Sequence, residues 1–319
     1  MVGLRSRLRR RTKKGAIVQH DVVVIGGGAA GLSAALVLAR ACRQVAVIDA
    51  SNPRNKASGH LHGYLSRDGM NPAALLQTGR EEVAAVGGEI RPNRVTALVR
   101  HGDGFLVQCE NGETSETRTV LLATGLRDEL PQIDGVNEHW GDRVVHCPYC
   151  HGYEVRATPL GVVGGNNRPF TIHQASLVRQ WSDDVVFFPN AITLDQTETH
   201  RLTARGIRIV AGRIKSIDTD SDGLNVVLGD GQRISRSTVF VGPQFNAEDH
   251  LLDDLACARD DLGSIAVDDT GATSVPGVWT AGNISDPSAQ LINAASAGSK
   301  AAIALNHYLL ARDIEHATV

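Results

Sequence analysis

The chain has 319 residues, 42% of them hydrophobic, and a formal charge of −3, enough for two domains that each bury a core without metal or disulfide staples. Seven of its 32 basic side chains fall between Arg5 and Lys14, so the remainder carries 25 basic against 35 acidic groups, a poor electrostatic match for nucleic acid. Five cysteines, an odd number and mostly far apart, do not suit a secreted disulfide framework, and a cytoplasmic location is expected.

The basic stretch at 1–19 lacks an apolar segment behind it. It is read as a solvated, disordered tail rather than a signal peptide or anchor. No later run approaches the length of a membrane span. From His20 the sequence "HDVVVIGGGAAGLSAALVLARACRQVAVIDAS" predicts strand, tight turn, helix and second strand, a βαβ unit of a parallel sheet. Gly26, Gly28 and Gly31 give the tight turn, the close approach of backbone to a pyrophosphate and the packing of helix on strand, and the helix start offers free N–H groups. Asp49, 23 residues after Gly26, stands where an acid binds ribose hydroxyls. A dinucleotide is the expected ligand, its identity left open by this unit alone.

Further on, Asp103–Gly125 and Asp222–Pro243 repeat one plan: strand, Asn-Gly or Asp-Gly turn, strand, and an apolar run closing at glycine. Each lies downstream of a strand entering glycines, the second being "PLGVVGGNN". "VPGVWTAGN" and a final helix follow only after the second copy. The predicted fold is therefore α/β with two Rossmann-like, three-layer ββα domains, the second inserted into the first. Residues 20–129 and 244–319 form the outer domain, and residues 130–243 the insert.

Within the insert, "HCPYCHGYE" carries Cys147 and Cys150. Structural zinc wants four ligands, and a single CxxC with a histidine directly beside each cysteine supplies them poorly, so no metal is expected. A purely structural disulfide across so short a loop stabilises little. Redox exchange suits the spacing, because a CxxC at a helix start closes without moving the backbone and its thiolate is stabilised by nearby N–H groups.

Taken in order, Gly26–Gly31, Ala123-Thr124-Gly125, Cys147-Pro148-Tyr149-Cys150 and "GVWTAGN" with Gln290 after it resemble the low-molecular-weight thioredoxin reductase family of FAD-dependent disulfide oxidoreductases. The resemblance covers nearly the whole chain after His20. It implies FAD on Gly26, Gly28, Ala29, Ala30, Gly31 and Asp49, with Asn55, Ala123, Thr124 and Gly125 in the same site. It further implies Gly282 and Asn283 near the ribityl phosphate, and Gln290 and Ala294 near the flavin ring. The family usually has aspartate at Asn283. By the same resemblance Cys150 faces the flavin, Cys147 exchanges with substrate, and the enzyme is a homodimer. His151 replaces the usual acid and is the candidate acid/base, against the plainer reading of a solvent-facing histidine.

The family's NADPH site is degraded here. With Gly164 as first glycine, Asn166 stands in the pyrophosphate's place and Pro169 replaces the packing glycine; the next strand ends in Pro189-Asn190, with no arginines for NADP and no acid for NAD. NADPH therefore stays possible, on degenerate motifs. "HLHGYLSRDG" offers His60 and His62 as cavity-lining or ordinary loop histidines. With "CPYCHGYE" and "HQASLVRQWSDD" it is similar to a branch of the family that includes dithiol oxidases, which close disulfides in small sulfur metabolites and pass electrons to oxygen. The expected function is FAD-dependent thiol-disulfide exchange through the CxxC, with a small dithiol or a thioredoxin-like protein as partner. The alternatives are an oxygen-dependent small-molecule dithiol oxidase working without NADPH, and a non-catalytic flavin redox sensor.

Overall fold

The computed structural model describes residues 19–220, 223–261 and 263–318, so the basic stretch that precedes Gln19 lies outside the described residues. The chain begins with β1 (Gln19–Ile25), α1 (Ala29–Arg40), β2 (Val45–Asp49), α2 (Pro72–Ala85), β3 (Glu89–Pro92), β4 (Val95–His101), β5 (Gly104–Cys109) and β6 (Thr114–Leu122). It crosses on β7 (Leu126–Glu129) into a second lobe: β8 (Val144–Val145), α3 (Pro148–His151), β9 (Leu160–Val163), α4 (Arg168–Val178), β10 (Val185–Phe188), α5 (Gln196–Ala204) and β11 (Arg208–Ile209). The lobe continues with β12 (Ile214–Asp220), β13 (Gly223–Leu228), β14 (Arg233–Arg236) and β15 (Thr238–Val241). The chain returns on β16 (Gln244–Ala247) and ends with β17 (Val278–Thr280) and α6 (Leu291–Ala317).

The first lobe's sheet runs β3-β2-β1-β6-β5-β4, with β17 also on β6. β1, β2, β3, β6 and β17 pair in parallel, while β4, β5 and the start of β6 form an antiparallel meander. Val22, Val23, Val24 and Ile25 are all buried, as a strand covered on both faces requires. On one face α1 and α6 pack with Leu38, Leu305 and Leu309; on the other Phe105, Leu98 and Leu252 close the second core. The two helices approach unusually closely, because a Cβ on Gly298 would lie 2.0 Å from the Ala30 carbonyl oxygen.

The inserted lobe repeats the plan with one change. Its parallel sheet runs β11-β10-β9-β15-β8, and its meander β12-β13-β14 is a separate three-stranded sheet. In the first lobe β6 serves meander and parallel sheet as one strand; here Ser237 interrupts it into β14 and β15. The protein is thus two Rossmann-type units, one nested within the other, as the internal repeat predicts. β7 and β16 pair antiparallel, Asp128 opposite Phe245, and form the two-stranded ribbon on which both chain crossings run.

Candidate active site

The N-terminus of α1 is built to receive an anion. Gly28 caps the helix with no side-chain bond, and the N–H groups of Ala29, Ala30 and Gly31 have no partner among the described residues. The turn leaves room for nothing but glycine where it touches protein: a Cβ on Gly26 would meet the Ala123 carbonyl oxygen at 2.4 Å, and one on Gly31 the Gly26 oxygen at 1.9 Å. At Gly28 the same addition meets nothing within 4 Å, so that side of the turn faces open space of the kind a pyrophosphate fills. Asp49, at the end of β2, packs beside Gly27. Ala123 closes the neighbouring strand by donating from its N–H to Ile25, while Thr124 Oγ1 donates to the Glu248 carbonyl at 2.7 Å. Gly125 follows in the left-handed region, at φ +74°.

A second helix start converges on the first. Gly282 lies so close to α1 that a Cβ there would be 3.0 Å from that of Ala30 and 3.6 Å from that of Ala294. Asn283 donates from Nδ2 to the carbonyls of Asp286 and Ala289, both at 3.0 Å, and so folds the loop that delivers Gln290 to the cap position of α6. Aspartate could not donate these bonds, which gives the asparagine a role of its own. Asn55 sits in the turn that follows Arg54, its carbonyl accepting from Ser58 N.

The cysteines arrive from the inserted lobe. Cys147 and Cys150 form a disulfide, Cα–Cα 5.3 Å, with Cys147 as the cap of the short helix α3 and buried while Cys150 is half-buried. Gln290 spans both sulfurs: Nε2 lies 3.6 Å from Cys147 Sγ and Oε1 3.3 Å from Cys150 Sγ. The disulfide therefore rests against the cap of α6, beside the converging starts of α1 and α6.

His151 is on the same short helix. Its Nδ1 is 3.4 Å from the Cys147 carbonyl, which can only accept, so Nδ1 carries the proton and Nε2 is left as a lone pair 3.4 Å from Ser58 Oγ. Burial pushes its pKa down, which keeps the ring neutral at pH 7. His62 bridges Asp68 (3.3 Å) and Glu154 (3.6 Å), tying the loop after β2 to the segment after α3, whereas the exposed His60 contributes only its carbonyl, to Ser58.

Three residues here were not legible as functional in the sequence. Arg54 donates twice to Asp128, Nε to Oδ2 at 2.8 Å and Nη2 to Oδ1 at 2.7 Å, and its guanidinium lies 5.0 Å from the centroid of Phe245. His146 stacks on Trp140 at 5.6 Å, and desolvation foremost, then the Arg54 charge, lowers its pKa to about 4. Gln174, buried on α4, donates to the His146 carbonyl at 2.6 Å. The only sequence signal was that Arg54 and Gln174 fall in polar stretches flanking the motifs; their partners are 74 and 28 positions away.

The second nucleotide turn is built differently. The register equates Val163 with Ile25, hence Gly164 with Gly26, but α4 starts one residue later and Asn167 caps it. Asn167 Oδ1 accepts from Phe170 N at 3.2 Å, Thr171 N donates to the Asn167 carbonyl, Arg168 N to the Asn166 carbonyl, and Pro169 has no N–H. Gly165 N donates to Thr171 Oγ1 at 3.3 Å. After β10, Asn190 Oδ1 accepts from Ile214 N at 3.0 Å. The donors that face a phosphate at α1 are consumed internally at α4.

Nested Rossmann units with one open phosphate turn and a CxxC disulfide against the cap of α6 define a flavin-dependent disulfide oxidoreductase. The chain belongs to the pyridine nucleotide-disulphide oxidoreductase family, whose profile matches residues 20–299. It is 48% identical to the solved protein HlmI, over 97% of each chain with a TM-score of 0.91. An oxidoreductase from Agrobacterium tumefaciens, 32% identical, covers 92% of this chain and 99% of its own at TM-score 0.86. Thioredoxin reductase tcpT of Claviceps purpurea is 31% identical over 82% of this chain and 86% of its own. FAD binding follows from this family and is matched by the residues present: the open first turn, the acid of β2 and the free starts of α1 and α6 fit a dinucleotide carrying an isoalloxazine. No helix among the described residues is long and apolar enough to cross a membrane.

Proposed function

We propose that the protein is an oxygen-dependent dithiol oxidase that closes a disulfide in a small sulfur-containing molecule and works without NADPH. The observation that carries this reading is the contrast between the two helix starts. α1 leaves three N–H groups for a pyrophosphate, while α4 spends its own on Asn167 and Asn166 and interrupts them with Pro169. Restoring a seat there would require breaking the cap. Pro189, which carries no acid, holds the position equivalent to Asp49, and the next residue, Asn190, is likewise engaged with Ile214.

A small substrate is favoured by the surroundings of the sulfurs. Cys147, the sulfur that meets substrate in this reading, is buried, and the loop after β2 lies against the disulfide helix through Ser58–His151 and His62–Glu154. A substrate thiolate attacks Cys147 Sγ and the Cys147–Cys150 bond breaks, leaving Cys150 as thiolate. The second substrate thiol then attacks the mixed disulfide, releasing the oxidised substrate and the Cys147 thiolate. Neutral His151, with its Nε2 lone pair, takes a proton from the substrate dithiol as a thiol becomes the attacking thiolate. FAD bound by the α1 turn would supply a two-electron acceptor for the cysteine pair, with oxygen as the final oxidant and hydrogen peroxide as the product. The boundaries used here, residues 20–129 with 244–319 for the flavin lobe and 130–243 for the disulfide lobe, are supported by the β7–β16 ribbon at both crossings.

The test is anaerobic mixing of the FAD-loaded enzyme with NADPH and, separately, with dithiothreitol. Dithiol bleaches the flavin and NADPH does not; on admission of air, oxygen uptake matches peroxide formed. Rapid bleaching by NADPH overturns the reading in favour of a reductase. Stoichiometric thiol oxidation without turnover overturns it in favour of a redox sensor.

A further inference from the structure

We propose that Arg54 is a positioning residue, which through Asp128 locks the ribbon joining the lobes and thereby holds the Cys147–Cys150 disulfide on the flavin side of the cleft. This rests on the cysteine pair exchanging electrons with the flavin, and holds whichever way those electrons run.

Among the described residues the chain passes between the lobes on β7 and β16, so whatever grips that ribbon helps to set the angle between them. Asp128 and Phe245 are direct cross-strand partners on it, with side chains on one face, and Arg54 engages both. The two parallel hydrogen bonds to Asp128 fix the guanidinium plane against the carboxylate, a constraint that a single contact or a lysine would not give. The Asp128 side chain is 8% exposed and that of Arg54 21%, so water competes little for either.

The same guanidinium reaches both sides of the cleft. On the flavin lobe Nη1 donates to Asn283 Oδ1 at 3.4 Å, and Asn283 folds the loop that presents Gln290. On the disulfide lobe Nη2 donates to His146 Nε2 at 3.4 Å, one residue before Cys147. The His146 ring is stacked on Trp140 and meets Phe245 edge-on at 6.1 Å, and its carbonyl is held by Gln174. Arg54 comes from the loop after β2, Asp128 and Phe245 from the ribbon and His146 from the cysteine segment. One side chain therefore ties the flavin lobe, the hinge and the redox segment, and the contact of Gln290 with both sulfurs depends on all three staying in register.

The test uses the FAD-loaded full chain with Asp128→Asn, which preserves shape, and Arg54→Lys, which preserves charge. Three quantities are read: anaerobic flavin bleaching by dithiothreitol, reduction of the disulfide itself by thiol titration, and small-angle X-ray scattering. Both variants retain FAD and reduce the disulfide at the wild-type rate. Bleaching slows roughly 10- to 100-fold, the penalty for displacing reacting groups by about an ångström, and the scattering reports a broader range of lobe separations. Bleaching within twofold of wild type in both variants would overturn the proposal. Equal slowing of disulfide reduction and bleaching with unchanged scattering would also overturn it, since Arg54 would then act only on local chemistry. Should the wild type itself show no bleaching by dithiol, the failure lies in the underlying electron exchange and not in the latch.

Discussion

Substituting Gly28 by alanine should separate cofactor binding from folding. The added methyl meets no protein atom within 4 Å and the backbone there, φ −78°, suits any residue. The helix loses only the small preference of a cap position for glycine over alanine, about 0.5–1 kcal/mol. The methyl instead enters the open space on that side of the turn, where the proposed phosphate would sit. Pushing a phosphate oxygen out of reach of one charge-assisted hydrogen bond forfeits about 1.5–3 kcal/mol, roughly 10- to 100-fold in affinity. Gly31→Ala is the contrasting variant, because its methyl would sit 1.9 Å from the Gly26 oxygen and must part α1 from β1. That overpacking costs about 1–3 kcal/mol of apoprotein stability as well as the cofactor. Apoproteins prepared by removing the flavin, unfolded in urea and then titrated with FAD by fluorescence, give both quantities. Wild-type FAD affinity in Gly28→Ala, or apoprotein destabilisation as large as in Gly31→Ala, would refute the assignment of Gly28 to the phosphate seat.

His146, with its pKa lowered from 6.5 to about 4, stabilises the fold fully above pH 6.5 and progressively less as pH falls toward 4, because the unfolded chain takes up the proton first. At pH 5 the loss is about 2 kcal/mol, an upper figure since one edge of the ring meets solvent, and His146→Phe should flatten the fall in urea stability between pH 7.5 and 5; an unchanged slope refutes it. Asn283→Asp replaces a donor to the Asp286 and Ala289 carbonyls by an acceptor, and should cost about 1–3 kcal/mol at neutral pH, recovered in part when the carboxyl is protonated; calorimetry at pH 7.5 and 4 checks it. Cys150→Ser should leave FAD bound but abolish bleaching by dithiol, as followed by flavin absorbance, and bleaching at the wild-type rate would remove Cys150 from the electron path.

The nested fold was legible because each copy carries its own local signals. Four apolar residues enter Gly26, a Leu-Gly-Val-Val strand enters Gly164, and Asn111-Gly112 and Asp230-Gly231 mark the two hairpins. The disulfide was legible from its spacing alone, since Cys147, Cys150 and the helix start between them are one local unit. What holds that unit in place was not. Arg54 meets Asp128 across 74 residues, Gln290 meets Cys147 across 143, and the partner of a long polar side chain is set by how two lobes dock, which no periodicity records. The one-residue delay of α4 was hidden for a related reason: Asn166 and Asn167 are both competent caps, and only the strand register shows that the second one is used.

The two nucleotide turns show how one plan can be kept while its ligand contacts are turned inward. At α1 the glycines leave the helix donors bare, an arrangement that is uncomfortable for a protein alone because bare N–H groups want partners. At α4 Asn167 satisfies the helix start, Thr171 receives the Gly165 N–H, and Asn190 receives that of Ile214. Gln174, one turn further along α4, ties the segment entering Cys147 to the Val241 carbonyl at the end of β15. Each of these side chains lies along the edge where a second dinucleotide would bind, and each now bonds to the lobe's own backbone. Such internal bonding makes the insert self-supporting, and a self-supporting insert can serve as a rigid mount for the disulfide. Positional accuracy at Cys147 and Cys150 is then the quantity that the insert supplies from its own side and that the proposed Arg54 contact supplies from the other side of the cleft.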